Sequence, residues 1–353
     1  MALIPCGIVL SGSSSGFLCL WMLKLVQEIA EKRNVMVLSP QKMTEDVRLI
    51  EVGMRDGLQS EKVTLTLDQK KKFIDGLVAA GLTEIQVGSF VHPRRVPQMA
   101  DTDALFQALG RSEGVTYSAL VLNARGLERA IACGVEQVDL SISTSETHSK
   151  KNTGMGLVTA KAMMKDMITE ARMAGLKVRL GFQCVFGCQY EGQRQIHHLM
   201  TMLEGLVDTQ LDSISFADSA GMAWPEQIKQ FMVPVFSLVG SLPVVLHLHD
   251  TRGLAMANLM AGIESGVTLF DTGIGGLGGC PFIPGAAGNL ATEDVVSLLD
   301  CMSVNSGIDL SSLCLLSAEM ESVLGRSLPG RLYQLSGKGM LGGQKIQSSN
   351  IQL

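Results

Sequence analysis

Short apolar runs alternate with amphipathic stretches along the chain from residue 47 onward. The runs predict β-strands, and several of them are almost continuously apolar, as in a parallel sheet covered by helices. The stretches between them place apolar residues at helical spacing, and the chain therefore reads as a regular β–α alternation. The predicted strands are 47–53, 84–88, 116–122, 137–143, 177–184, 213–217, 244–249 and 268–273.

The helical stretches strengthen this alternation because several of them are followed directly by glycine, the residue most common just past a helix end. Eight strands in strict alternation with helices predict an α/β fold, a (β/α)8 TIM barrel with a C-terminal helical extension. No G-x-G-x-x-G follows the first strand, which argues against an open nucleotide-binding sheet. The predicted helices are 67–80, 102–110, 124–133, 158–174, 192–206, 225–239, 254–265 and 291–302.

Chain length alone does not decide between two small domains and one large barrel, since 353 residues suit either. The pattern favours one barrel domain over 47–353, preceded by an extension over 1–46 of unassigned role. Within that extension the apolar run 17–22 is too short to span a bilayer, and no basic residues precede it. An accessory segment is therefore favoured over a membrane anchor or a targeting signal.

Composition narrows the class of partner and the compartment. The net charge of −5 lacks the clustered basic residues that nucleic acid requires, so no nucleic-acid partner is expected. The eight cysteines form no C-x-x-C pair and no secreted-type framework. Reduced thiols and a cytoplasmic location follow as the simplest prediction.

The ends of three predicted strands carry candidate metal ligands. His247 and His249 are two residues apart on a strand, so both imidazoles point to the same face. Asp56 follows the first strand and Asn289 follows the eighth, and strand ends meet at one rim of a barrel. Nitrogen and oxygen ligands without thiolate favour Mg²⁺ or Mn²⁺ over structural zinc. The alternative is two histidines satisfied by hydrogen bonds in the core.

Arg55 and Cys280 are the candidate groups for bond making and breaking. Arg55 lies beside Asp56, where a permanent positive charge suits a developing oxyanion such as an enolate. Cys280 lies in the segment 273–289, which holds seven glycines and two prolines. We expect a mobile lid that brings the thiol to a reacting carbon as a general acid or base. An arginine that only pairs with a carboxylate, and a buried structural thiol, are the alternatives.

Six motifs together resemble the 3-hydroxy-3-methylglutaryl-CoA lyase family over residues 47–315. The motifs are VRLIEVGMRDGLQSE (47–61), SFVHPRRVPQMAD (89–101), GCQYEG (187–192), FADSAG (216–221), HLHDTRG (247–253) and GLGGCPFIPGAAGNLATED (276–294). The resemblance implies a homodimer that requires a divalent cation, Mg²⁺ or Mn²⁺. It also implies cleavage of a 3-hydroxy-3-methylglutaryl thioester, an acyl-CoA, to acetyl-CoA and acetoacetate.

The resemblance also assigns roles to individual residues. The implied metal ligands are Asp56, His247, His249 and Asn289. Arg55 would stabilise the enolate of the departing acetyl thioester, Cys280 would protonate it, and Asp218 would lie near the substrate hydroxyl. His247 also counts among the catalytic residues, and the implied substrate-binding residues are Arg55, Gln86 and Ser89.

One position departs from the family pattern. The family has glutamate in an I-E-x-x-S-F motif, whereas this chain has Gln86, which carries neither charge nor a transferable proton. We expect Gln86 to retune the site, toward a longer-branched 3-hydroxyglutaryl-CoA or a slower reaction, without abolishing catalysis. Arg326 and Arg331 are candidates for the phosphates of CoA, or are merely exposed to solvent.

Two other functions compete with the lyase. A condensing synthase on the same scaffold would share the R-D and H-x-H motifs, but the cysteine-containing loop favours the lyase. A catalytically weak binding protein derived from a lyase would account for Gln86. It would rarely keep every candidate metal ligand together with Cys280.

Overall fold

The computed structural model describes residues 47–278 and 288–336, so the predicted extension over 1–46 lies outside the described residues. Eight parallel strands close into a barrel in the order β1-β10-β9-β8-β5-β4-β3-β2. The barrel strands are β1 Arg48–Glu51, β2 Glu84–Ser89, β3 Thr116–Val121, β4 Gln137–Ser143, β5 Lys177–Gln183, β8 Ser213–Asp218, β9 Val244–Leu248 and β10 Leu269–Thr272. A two-stranded antiparallel hairpin, β6 Gly187–Cys188 and β7 Gly192–Gln193, stands apart from the barrel.

The predicted TIM barrel is confirmed. Strand β1 closes the sheet by pairing in parallel with β10, from Arg48 opposite Leu269 to Glu51 opposite Thr272, and with β2 on its other side. Each predicted strand lies within two residues of the observed one at both ends. This agreement follows from the near-continuous apolar runs, since both faces of these strands are buried.

Helices alternate with the barrel strands, and two further helices form the predicted C-terminal extension. The helices are α1 Leu67–Ala79, α2 Thr102–Leu109, α3 Ala124–Ala132, α4 Glu146–Thr153, α5 Leu157–Met173, α6 Ile196–Leu203, α7 Pro225–Val239, α8 Ala255–Glu264, α9 Thr292–Cys301, α10 Leu310–Leu324 and α11 Leu332–Ser336. Buried side chains of α10 and α11, such as Leu313 and Tyr333, belong to the same core as the barrel. Among the described residues, no helix combines the length and apolar character needed to cross a bilayer.

Four helices end in the same way, at the glycines that the sequence pattern singled out. Gly81, Gly134, Gly175 and Gly266 have φ between +69° and +102°, which only glycine adopts at little cost. In each case the glycine N–H and the next N–H bond back into the last helical turn, as in a Schellman motif. The residue after the glycine is a buried Leu or Val that leads into the next strand.

The sequence prediction was wrong at two places between β4 and β8. Helix α4 was not predicted because its sequence, ETHSKKNT, has no apolar stripe. The helix predicted over 192–206 begins only at Ile196, because the residues before it form the β6–β7 hairpin. Both corrections concern segments at the carboxyl ends of strands, where loop structure varies most within barrels.

A buried carboxyl group joins the end of β1 to the end of β10. Glu51 is fully buried, and its Oε1 accepts hydrogen bonds from the N–H groups of Gly53, at 2.7 Å, and Ile274, at 2.9 Å. Its Oε2 lies 2.6 Å from the Thr292 hydroxyl. Burial raises the pKa of Glu51 to about 7, despite the hydrogen bonds that oppose the shift. The folded protein therefore favours the neutral acid at mildly acidic pH.

We expect the Glu51→Gln variant to flatten the pH dependence of stability. Because the folded pKa exceeds the unfolded value, the contribution of Glu51 is complete below about pH 4.5 and is lost as pH rises through 7. The shift corresponds to at most about 3 kcal/mol. An amide oxygen can still accept from Gly53 and Ile274, and the amide nitrogen can donate to the Thr292 hydroxyl, without the ionisation. Urea unfolding at pH 5 and pH 8 should show a smaller decrease for Glu51→Gln than for wild type or exposed Glu113→Gln; equal decreases would contradict this.

Candidate active site

A cavity of about 420 Å³ opens at the carboxyl ends of the barrel strands, the end where barrel enzymes place their active sites. Its described lining includes Arg55, Asp56, Gln86, His247 and His249. Apolar groups from the third and fifth barrel strands, among them Leu120 and Phe182, form part of its wall. The cavity thus combines a few convergent polar groups with apolar surface, as small-molecule sites do.

The chain leaves β1 through an unusual turn that delivers Arg55 and Asp56 to the cavity. Residues Gly53–Gly57 form a single π-helical turn, in which the Asp56 N–H bonds to the Val52 carbonyl at 2.7 Å. Such turns occur frequently at functional sites. A Cβ on Gly53 would lie 2.5 Å from Glu51 Oε1, so the turn requires glycine there. Both residues are buried, with each side chain 11% exposed.

His247 and His249 share one face, as the alternation predicted, and the structure places that face in the cavity beside the Asp56 carboxylate. Their Nε2 atoms are 3.0 Å apart, and they lie 3.9 Å and 3.7 Å from Asp56 Oδ2. The three potential ligand atoms all lie within 4.8 Å of one another. Adjacent ligands at about 2.1 Å from an octahedral ion would be about 3 Å apart, which this spacing approaches. The three residues can therefore hold a metal ion.

Asn289 lies against the cluster and carries a buried amide oxygen. It pairs with His249 in an isolated bridge, and its Nδ2 donates to Asp56 Oδ2 at 3.0 Å and to the Leu277 carbonyl at 2.9 Å. Its Oδ1 is buried without a hydrogen-bond partner among the described residues. An unsatisfied buried oxygen beside two imidazoles and a carboxylate is the arrangement that a divalent cation would satisfy.

The charge state of the cluster also suits a cation. Burial alone would raise the pKa of Asp56, but the Arg55 guanidinium beside it and the hydrogen bond with His249 hold that pKa well below its usual range. The carboxylate is therefore ionised at neutral pH. His247 Nδ1 lies 3.0 Å from Asp271 Oδ2, a contact that directs its Nε2 lone pair toward the cluster.

A chain of hydrogen bonds runs round the barrel interior from the cluster of Asp56, His247 and His249. The Arg55 guanidinium donates to Gln86 Oε1, and Gln86 Nε2 donates to Asp139. Arg179 bridges the Asp139 carboxylate, at 2.9 and 3.1 Å, and Asp271, at 2.7 Å. The last carboxylate is the one that contacts His247, so the chain returns to the cluster.

Sequence reasoning missed Asp139, Arg179 and Asp271. A signal was available, since β4 carries polar residues at every second position, from Gln137 and Asp139 to Ser143. In a strand buried on both faces, such alternation marks the residues that point into the barrel. Asp139 lies opposite Arg179 in the register, which explains their pairing.

Three of the predicted catalytic, substrate-binding and metal-ligating residues, Asp218, Ser89 and Asn289, lie outside the described lining of the cavity. Asp218 is fully buried, and its carboxylate accepts the N–H groups of Met222 and Ala223 at 2.8 and 2.9 Å. Burial raises its pKa, against these hydrogen bonds. Ser89 is also fully buried, and its N–H donates to the Thr102 hydroxyl. Asp218 fixes the turn that carries Ser219 and Ala220, both of which line the cavity.

Cys280 lies outside the described residues, but the chain on either side of its segment is described. A Cβ on Gly278 would lie 2.5 Å from Asn289 Nδ2 and 3.3 Å from Asp56 Oδ2. A Cβ on Gly288 would lie 1.9 Å from the Gly278 carbonyl oxygen. The backbone at Gly278 is therefore in close contact with the backbone at Gly288, next to Asp56 and Asn289.

We expect Gly278→Ala to lower metal affinity, because its methyl group would displace Asn289 and its φ of +111° disfavours alanine. A loss of about 10- to 100-fold in Mn²⁺ affinity is the range for a disturbed ligand environment. Isothermal titration of Mn²⁺ measures it. Gly114→Ala is a matched control, with φ of +75° and open space around its Cβ. Unchanged affinity in Gly278→Ala would contradict this close approach.

The two arginines considered for CoA lie near the C-terminal helices. The Arg326 guanidinium is already paired with the Glu61 carboxylate, and it also donates to the Ser327 carbonyl. Arg331 is exposed, and its backbone N–H bonds to Asp294. A phosphate would therefore compete with Glu61 for Arg326.

The sequence profile of the family described as HMGL-like matches residues 46–319, most of the chain. The chain belongs to the HMGL-like family. The resemblance drawn from the six motifs is thereby confirmed. The chain is 37% identical over 289 residues to the hydroxymethylglutaryl-CoA lyase YngG of Bacillus subtilis, and the match covers 82% of this chain and 97% of the relative. It is 36% identical over 285 residues to a 3-hydroxy-3-isohexenylglutaryl-CoA/hydroxymethylglutaryl-CoA lyase of Pseudomonas aeruginosa, covering 81% and 95%.

Solved structures of this family share the fold. The crystal structure of the HMG-CoA lyase of Bacillus subtilis superposes with a TM-score of 0.81 at 36% identity, covering 84% of this chain and 99% of that one. An HMG-CoA lyase of Acinetobacter baumannii, in complex with coenzyme A and 3-methylmalate, gives a TM-score of 0.80 at 32% identity, covering 85% and 97%.

Proposed function

We propose that this member of the HMGL-like family cleaves 3-hydroxy-3-methylglutaryl-CoA, or a close 3-alkyl relative, to acetyl-CoA and a 3-oxoacid. The observation that carries the proposal is the Asp56–His247–His249 cluster with Arg55 beside it, at the carboxyl end of the barrel. The likeness to relatives named as hydroxymethylglutaryl-CoA lyases supports the same reaction. The homodimer and the cytoplasmic location stay predictions.

The cluster is the proposed site of a divalent cation, Mg²⁺ or Mn²⁺. Asp56, His247, His249 and the free oxygen of Asn289 would hold it, and the absence of thiolate among them favours these ions. When bound, the ion supplies a Lewis acid for substrate oxygens. Asp271 keeps His247 in the tautomer that leaves Nε2 free for this role.

Arg55 is the proposed partner of the departing acetyl thioester. A general base takes the proton of the substrate's tertiary hydroxyl, the C2–C3 bond breaks, and the electron pair forms an enolate on the thioester, leaving a ketone on the other fragment. The guanidinium contacts Gln86 through Nε and Asp56 through Nη1. Its Nη2 is without a partner among residues 47–278 and 288–336, and it can donate to the enolate oxygen.

Cys280 is the proposed acid that protonates C2 of the enolate and so completes acetyl-CoA. The assignment rests on the resemblance, with support from Gly278, which lies against Asp56 and Asn289 two residues earlier in the chain. A thiol suits the step because its reference pKa of about 8.5 allows proton donation near neutral pH. For Asp218 we propose a positioning role through the turn it fixes, rather than contact with the substrate hydroxyl.

A panel of thioesters tests the proposed function. Purified protein would be given 3-hydroxy-3-methylglutaryl-CoA and longer 3-alkyl homologues with Mg²⁺ or Mn²⁺, and released acetyl-CoA would be measured. We expect release from at least one of them, with the apolar wall at Leu120, Leu122 and Phe182 setting the preferred alkyl length. Acetyl-CoA consumption with a 2-oxoacid would indicate a synthase instead. Metal binding without turnover of any thioester would indicate a binding protein.

A further inference from the structure

We propose that Gln86 and Asp139 form a coupled pair that positions Arg55, and that the Asp139 carboxylate is the reason an amide stands at position 86. The proposal rests on the proposed function, in which Arg55 faces the departing thioester. Gln86 and Asp139 would be positioning residues, acting on the reaction through the Arg55 guanidinium.

The hydrogen bonds of Gln86 have a fixed direction. Its Oε1 accepts from Arg55 Nε, and its Nε2 donates to Asp139 Oδ2, with all three residues buried. A guanidinium can only donate and a carboxylate can only accept, so the opposite orientation of the amide would break both bonds. Position 86 therefore requires an acceptor on one side and a donor on the other.

A glutamate at position 86 would meet only half of this requirement. Its carboxylate could accept from Arg55, but its second oxygen would face the Asp139 carboxylate, acceptor against acceptor. Glutamate fits only if position 139 becomes a donor.

Asp139 cannot turn away from position 86, because it is held from other directions. Arg179 contacts both of its oxygens, and the Ser118 hydroxyl donates to Oδ2 at 2.6 Å. Arg179 is in turn anchored by Asp271 at 2.7 Å. The carboxylate therefore presents a fixed acceptor to Gln86 Nε2. This contact fixes the position of Gln86 Oε1, which in turn holds the Arg55 Nε in place.

A double-mutant cycle on the metal-loaded protein tests the pair. We expect Gln86→Glu to lower kcat by about 10²-fold, the scale of misplacing one preorganised donor. Asp139→Asn alone should lower kcat by about tenfold or more, because donors face both ends of the new amide, and its nitrogen must meet either Arg179 alone or Arg179 together with Gln86. The double variant Gln86→Glu/Asp139→Asn, with the charges exchanged, should recover kcat to within about tenfold of wild type.

Two further readouts separate positioning from a purely structural role. Mn²⁺ affinity should change by less than about tenfold in each variant, because neither residue is a proposed metal ligand. The larger part of the loss should appear in kcat and not in KM, because Arg55 acts on charge that develops in the transition state. If Gln86→Glu does not fold, Gln86→Met, which removes both hydrogen bonds without adding charge, should show the same loss in kcat. Additive losses in kcat, with no recovery in the double variant of an active protein, would overturn the proposal.

The cycle can be scored even if the proposed function fails. If the wild-type protein cleaves no thioester, the lyase assignment falls, and thermal unfolding still measures the coupling between the two positions. We then expect the double variant to have a higher Tm than either single variant. A double variant with the sum of the two single decreases in Tm would show that the residues are uncoupled, and would overturn the pair itself.

Discussion

Replacing His249 with alanine is expected to abolish tight binding of one Mn²⁺ per chain and to lower kcat by at least about 10³-fold. His249 contributes one of three ligand atoms that lie within 4.8 Å of one another, and Asn289 is aligned through its bridge to the same residue. Losing it leaves too few ligands to hold the ion. Calorimetric titration with Mn²⁺ and the initial rate of acetyl-CoA release measure the two effects.

His197→Ala is the matched control for this variant, because His197 is an exposed histidine on α6 that is not among the described lining residues of the cavity. It should bind Mn²⁺ and turn over substrate as the wild type does. Full Mn²⁺ binding by His249→Ala would mean that the cluster is not the metal site. Loss in both variants would indicate general instability.

Replacing Arg55 with glutamine is expected to lower kcat by about 10²- to 10³-fold while KM changes little, because the guanidinium acts on charge that develops only in the transition state. Arg55→Lys keeps a positive charge but lacks the planar fork that reaches both Gln86 and Asp56, so it should recover only part of the rate. Steady-state kinetics with saturating Mn²⁺ measure both variants.

A contrary result for Arg55 would be informative in two ways. If kcat is unchanged in Arg55→Gln, the enolate is stabilised by another group. If the loss of kcat disappears at high Mn²⁺ concentration, Arg55 serves only to keep Asp56 ionised and available to the cation. That role is consistent with the Arg55 guanidinium lowering the pKa of Asp56.

The fold followed from the sequence because its signals are local. Buried strands read as apolar runs, and the glycines after four helices mark chain reversals that only positive φ permits. Helix α4 lacked such a signal, since its residues are polar and its place is set by the Ser145 cap and by Gly154 at its end. The hairpin before α6 likewise depends on contacts that no local pattern encodes.

Site residues on strands were predictable, because the alternation of a strand fixes which face each side chain points to. Site residues whose positions depend on a turn or on a hydrogen-bond partner were not predictable. The H-x-H spacing placed His247 and His249 on one face, and they do share the cavity. The π-helical turn that carries Arg55 and Asp56 has no sequence signature of its own. Asp218 ends a strand as predicted, yet two backbone N–H groups hold its carboxylate outside the described lining.

At position 86 the sequence alone does not show which distant residue contacts the side chain. Glutamine in place of glutamate signals a retuned site, but the reason for it is 53 residues away, in the Asp139 carboxylate that accepts its hydrogen bond. We therefore expect Gln86→Glu to lower activity, and Asp139→Asn to offset that loss.

The most direct test of the central claim is the metal dependence of thioester cleavage. Protein freed of metal with a chelator would be titrated with Mn²⁺ while acetyl-CoA release from 3-hydroxy-3-methylglutaryl-CoA, or the best homologue, is recorded. We expect negligible release without metal and full activity at one Mn²⁺ per chain, with no restoration in His249→Ala. Full activity in the metal-free protein, or equal restoration in His249→Ala, would contradict it.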